Sequence, residues 1–144
     1  MILEDIIKGI NRIIKSEFPS MEIYANEIQQ GFKEPCFFIK MLKLDEKQII
    51  GERYFRRYFF DIRYHPDKHK KSQNIWGVAD KLQDLLEMIT TPEGHLMRGT
   101  DRNAAVEDDV LHYFISYNMF VIKPKNQEEY MEHLQQKQGV KGSG

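Results

Sequence analysis

Between Val110 and Ile122 every second residue is large and apolar: Leu111, Tyr113, Ile115, Tyr117, Met119 and Val121. Six members of a two-residue period scatter around a helix of 3.6 residues per turn, but on an extended strand they share one face. The stretch is therefore a long strand with one buried side. Such a strand needs paired neighbours and a covering layer. Pro124 ends it, and the acidic bend Glu107-Asp108-Asp109 joins it to a more polar strand, Leu96 to Val106, in a ribbon that starts at His95.

The neighbours can be read from the same kind of pattern. In Arg53 to His65, Tyr58, Phe60, Ile62 and Tyr64 point one way while Arg57, Phe59, Asp61 and Arg63 point the other. Cys36 to Leu44 is apolar on both sides, with Phe37, Ile39 and Met41 opposite Cys36, Phe38 and Leu42. That pattern predicts a central strand covered on both faces, with Cys36 and Phe38 under a helix. Pro35 suits the strand's first residue, where no backbone N–H is needed. The following DEKQIIGE reads as a turn or hairpin tip. Glu22 to Ala25 is a short strand, and NEIQQG is expected to turn it back onto the next, with Gly31 at positive φ.

Two amphipathic helices supply the cover. Leu3, Ile6, Ile7, Ile10, Ile13 and Ile14 form one stripe, stopped by Pro19. Ile75, Val78, Ala79, Leu82, Leu85, Leu86 and Ile89 form another, expected to open at Ser72 and close before Pro92. Asn126 followed by Glu129 is a capping-box signal for a short helix over 125–134. Residues 135–144 are Gly-rich and poor in apolar side chains, as in a disordered tail. The order α-β-β-β-α-β-β-(α) predicts one α+β domain over 1–124: an antiparallel or mixed sheet with both main helices on one face.

Composition narrows the function. Twenty-one basic against 22 acidic side chains give a net charge of -1, which lacks the basic footprint of a nucleic-acid binder. One Cys cannot form an internal disulfide and fits cytoplasmic folding. Glu4, Asp5, Lys8, Arg12 and Lys15 interrupt the first apolar segment, so it is read as a folded helix and no membrane role follows.

Catalytic readings fare poorly. Cys36 sits between Pro35 and two Phe residues in an apolar strand and reads as packing. His65 and His69 flank Pro66 in a polar turn that does not aim two rings at a metal. Asp45-Glu46-Lys47, with Asp61 enlisted as a second carboxylate, resembles the acidic end of a metal-dependent nuclease site, but such tripeptides arise by chance. Glu107 to Asp109 reads as a solvated bend. No phosphate-cradling loop or nucleophile elbow is present. The reading is a non-enzyme with no catalytic, metal or cofactor-binding residue.

What remains is surface. Arg53, Arg56, Arg57 and Arg63 line an aromatic-rich strand, and Arg98, Asp101, Arg102 and Glu107 decorate the later one. Arg beside Tyr and Phe is the composition enriched at protein interfaces. The arm from His95 to Asp109 is expected to carry Arg98, Thr100 and Arg102 on one side and Asp101 and Asn103 on the other. With little apolar surface of its own, it is expected to reach a neighbouring molecule.

Four pieces together resemble a known family: Phe18-Pro19, Gln30-Gly31-Phe32, Pro35-Cys36-Phe37-Phe38, and Arg57-Tyr58-Phe59 running to Tyr64-His65-Pro66. With the final HYFISYNMFV strand, they are similar to the tail-terminator-type proteins of tailed phages and prophages of Gram-positive bacteria. The likeness runs to about Lys123. It implies a structural protein that caps the head-proximal end of the tail tube as a homo-oligomeric ring, usually a hexamer. The implied partners are the tail tube protein and a head-completion or connector protein, with DNA passing through the ring. The implied place is the neck region of the virion tail, after assembly in the host cytoplasm. The alternatives are another head–tail joining protein or a small metal-dependent nuclease.

Overall fold

The computed structural model describes residues 2–25, 31–68 and 74–124. In chain order the elements are α1 (Ile2–Glu17), β1 (Glu22–Ala25), β2 (Cys36–Ile50), β3 (Arg53–His65), α2 (Ile75–Leu85), β4 (Met88–Thr90), β5 (Leu96–Glu107) and β6 (Val110–Ile122). The strands form one mixed sheet in the order β1-β2-β3-β6-β5-β4. The class is α+β. The expected short helix over 125–134 and the tail over 135–144 lie outside the described residues.

The two-residue periods of β3 and β6 become one face of this sheet. Tyr58, Phe60, Ile62 and Tyr64 stand beside Tyr117, Ile115, Tyr113 and Leu111, and all eight are at most 3% exposed. Ile6, Ile10 and Ile14 of α1 close over the same cluster, as do Ala79 and Leu82 of α2 and the following Leu86. Charge suits the dipole of α1, with Glu4 and Asp5 in the first turn and Lys15 in the last.

The C-terminal end of α2 is fixed to the sheet by polar contacts. Tyr117 donates its hydroxyl hydrogen to the Leu86 carbonyl at 2.7 Å, and Tyr113 donates to Gln83 Oε1 at 2.7 Å. The amide of Gly99 donates to the Glu87 carbonyl at 2.7 Å. The helix end approaches so closely that a Cβ at position 99 would lie 2.4 Å from Ile115 Cδ1 and 2.8 Å from Leu86 O. Burial pushes the Tyr117 phenol well above its usual range.

Several expectations are corrected. β1 pairs with β2 in parallel, Glu22 to Ala25 against Cys36 to Ile39, so it does not form a hairpin with it. Phe37 and Ile39 are the β2 residues beneath the helices. Cys36 and Phe38 face the opposite side, where Phe38 packs 5.1 Å from both Tyr24 and Phe32, and His65 lies 5.0 Å away. The buried stripe of α2 ends sooner than its periodicity implied, because Ile89 belongs to β4. Its start is capped by Asn74, whose side chain accepts from Gly77 N at 3.0 Å, while Ser72 lies outside the described residues.

Cys36 is fully buried, and burial pushes its thiol up to about 11. At neutral pH it is a protonated packing group, not a nucleophile. A thiol-specific reagent is therefore expected to leave the native protein unlabelled and to react once denaturant is added. Rapid labelling of the folded protein would show an accessible thiolate.

Candidate assembly surface

The DEKQIIGE segment extends the sheet. β2 continues to Ile50 and returns through Gly51, at φ 53°, and Glu52 into β3. Asp45 stands across from Arg57 and Glu46 across from Arg56. Arg57 grips Asp45 with two nitrogens, at 2.9 and 2.7 Å, and holds its carboxyl below the usual range. Glu46 is bound by Lys123 and by Arg56 at 2.8 Å, and its carboxyl is likewise lowered. These paired charges hold the register of a long hairpin.

With the end of β6, this hairpin makes a three-stranded tongue beyond the helix layer. β1 stops pairing at Ile39 and β5 begins pairing β6 at Tyr117. From Lys40 on, the outer edge of β2 has no strand partner among the described residues, and neither has β6 past Tyr117. The tongue is greasy where neither helix covers it. Leu42, Leu44, Ile49, Ile50, Phe120 and Ile122 are 48 to 72% exposed. Unpaired edges and exposed apolar side chains on one projecting element mark a surface built for another protein.

The sheet face opposite the helices adds to it. Phe59 lies under Lys43 and Arg57, at 5.4 and 5.2 Å, and Phe55 packs on Phe120 at 5.2 Å. Of the sequence-predicted interface residues, Arg53, Arg57 and Arg63 share this open face. Arg56 points the other way and donates to the Tyr58 hydroxyl at 3.2 Å. Arg63 is committed to Asp61, which is 2% exposed: its Nε lies 2.8 Å from Asp61 Oδ2, and His112 Nδ1 lies 2.9 Å from the same oxygen. Asp61 Oδ1 has no hydrogen-bond partner among the described residues. Removing one partner of a buried pair leaves the other charge poorly compensated. Arg63→Ala is thus expected to cost about 3 kcal/mol in urea unfolding. A loss near that of an exposed surface pair would show that Arg63 is an ordinary surface charge.

The expected arm is a strand of the sheet, and from Gly99 to Glu107 its outer edge has no strand partner among the described residues. β5 pairs with β4 through Leu96 to Arg98 and with β6 from Gly99 to Glu107. A bulge after Thr100, with Asp101 at φ 51°, breaks the expected alternation. It turns Arg102 toward α2, where its Nη1 donates to the Gln83 carbonyl at 2.8 Å. Arg98 lies near Glu87 at 3.9 Å, Asp101 stays exposed, and Glu107 ends the strand at the Asp108-Asp109 turn. Of these four residues, Asp101 acts on Arg57 of β3 through its charge, while Arg98 and Arg102 turn toward Glu87 and α2.

The carboxylates of the acidic tripeptide do not come together. Asp45 lies on the open face and Glu46 on the opposite one, each bound by arginine, so the tripeptide cannot present two carboxylates to one metal. Among the described residues no three His, Cys, Asp or Glu gather to hold an ion. His65 is packed against Phe32 and Phe38, and His69 lies outside the described residues.

The family model described as phage tail terminator protein matches residues 5–129. This chain belongs to the phage tail terminator family. The terminator family is one of structural tail proteins, which places this member in the virion tail among the proteins of tail and head. No curated protein matches the chain. One solved chain without a functional name aligns at 14% identity and a TM-score of 0.45, over 88% of this terminator and 96% of its own length. That likeness is too slight to carry an argument.

Sequence reasoning missed the terminator's tongue. The available signal was charge symmetry about Gly51, with Asp45 and Glu46 on one side and Arg56 and Arg57 on the other, which is the signature of a paired hairpin.

Proposed function

We infer that this terminator caps the head-proximal end of the tail tube as a closed ring, stops its growth, and offers a face to a head-completion protein. Assembly would take place in the host cytoplasm. The supporting observation is the tongue. An element with two edges unpaired among the described residues and six exposed apolar side chains fits repeated contact with other subunits, in a chain from a structural tail family. Ring subunits need different surfaces to give and to receive. The uncovered edge strands and the open Arg–Phe face supply several.

The test is tube growth. Tube protein from the same phage, polymerised with and without the purified terminator, is measured by electron microscopy. The reading requires growth to stop at ends carrying the added protein. Tubes that elongate equally in its presence would refute it.

A further inference from the structure

A cleft of about 470 Å³ opens where β5 parts from β6, between the start of α1 and the β4–β5 turn. Ile2, Met97 and Met119 line its apolar part, and its lips carry Asp5 and Glu93, the latter with His95 Nε2 3.5 Å from its Oε2. Leu96 is 69% exposed, a large apolar side chain left at the mouth.

The same molecule carries an exposed group of complementary polarity and charge. At the hairpin tip, Ile49 and Ile50 are 52% and 72% exposed, with the exposed cations Lys47 and Arg53 on either side. Glu52 also stands in the tip beside Arg53, which leaves it with a net charge of +1 and two branched apolar side chains, to meet an apolar floor rimmed by carboxylates. The tip cannot turn into its own cleft. Ile50 pairs with Arg53, and Arg53 with Ile122, while the cleft meets β6 at Asn118 and Met119. At about 3.3 Å per residue, roughly 10 Å of paired, stiff sheet separates them.

We propose that the tip of one copy, Lys47 to Arg53, seats in the cleft of the next. The proposal rests on the ring reading above and specifies its contact. The giving and receiving surfaces are different, so the contact is heterologous and closes into a ring when its rotation divides a full turn. Lys47 and Arg53 meet Asp5 and Glu93 at the rim, which steers the approach and makes association weaken as salt rises. Ile49 and Ile50 fill the floor and supply the holding contact.

The test uses two full-length variants changed only at exposed positions, so that both keep the fold, as circular dichroism checks. Ile49→Asp with Ile50→Asp removes the tip. Glu93→Lys with Leu96→Lys closes the cleft. Each variant alone is expected to associate at least about 30-fold more weakly than the parent and to stay monomeric by native mass spectrometry. Mixed in equal amounts, they retain one good tip and one good cleft and are expected to form a dimer with one copy of each and no ring. Ile50→Cys with Leu96→Cys is expected to form intermolecular disulfides on oxidation. A parent that assembles while both variants assemble equally well overturns this seat and leaves the ring reading standing. A mixture that remains monomeric also overturns it. A parent that assembles neither alone nor on tubes overturns the ring reading and the seat together.

Discussion

Replacing residues 45–57 by Asn-Gly, so that Leu44 meets Tyr58 across a two-residue turn, is expected to leave a folded protein that no longer assembles. No residue from Asp45 to Arg57 belongs to the buried core, whereas their partners further down β2 and β3 do. Leu44 and Tyr58 already face each other in register, and Asn-Gly adopts the positive φ angles that a two-residue hairpin turn requires. Cooperative unfolding should persist. Mass measurement should find monomers only, and phage carrying the variant should produce tails of uncontrolled length. Normal tails from the shortened protein would show that the tongue is dispensable.

Gly99→Val is expected to have the largest effect on stability. The new Cβ would meet Ile115 Cδ1 at 2.4 Å and the Leu86 carbonyl at 2.8 Å, and that carbonyl already accepts from Tyr117. Ile115 can change rotamer, but the backbone oxygen can move only if the end of α2 lifts away. Overpacking of this kind costs about 1 to 3 kcal/mol, and more where backbone must shift. With total stability on the order of 10 kcal/mol for a domain of this size, losing the Tyr117 and Gly99 hydrogen bonds as well should bring the protein close to unfolding at 37 °C. Thermal denaturation checks this. A midpoint within a degree or two of the parent would mean that α2 has slack against the sheet.

The legible part of the fold was whatever one stripe of side chains decides. β6 and the helix-facing half of β3 could be read because each buries one face along the region beneath the helices, so burial and period agree. The sites that misled reasoning are those where a second constraint wins. Ile89 continues the period of α2 but is claimed by β4 pairing. Arg102 follows the alternation of β5 until the Asp101 bulge turns it inward. Cys36 and Phe38 look helix-covered because both faces of β2 are apolar there, yet a local group of rings covers their side. The outer hairpin was read as a turn because its side chains alternate no burial at all: both faces are exposed, so hydrophobic period carries no signal. The interface arginines were visible as a composition, but not as a surface. Arg53 and Arg57 share the open face, but Arg57 is held by Asp45, and Arg56, Arg63 and Arg102 are likewise held by partners within the chain.

The central claim is that this terminator assembles through its tongue. Hydrogen exchange read by mass spectrometry, on assembled and dissociated protein under one set of conditions, tests it most directly. Unpaired edge amides exchange readily with solvent and become protected only when something covers or pairs them. The account predicts protection gained on assembly at Leu42 to Ile50 and at Asn118 to Ile122, with α1 beyond its first turn unchanged. Assembled protein in which those two stretches exchange as fast as in the monomer, while α1 beyond its first turn becomes protected, would contradict it.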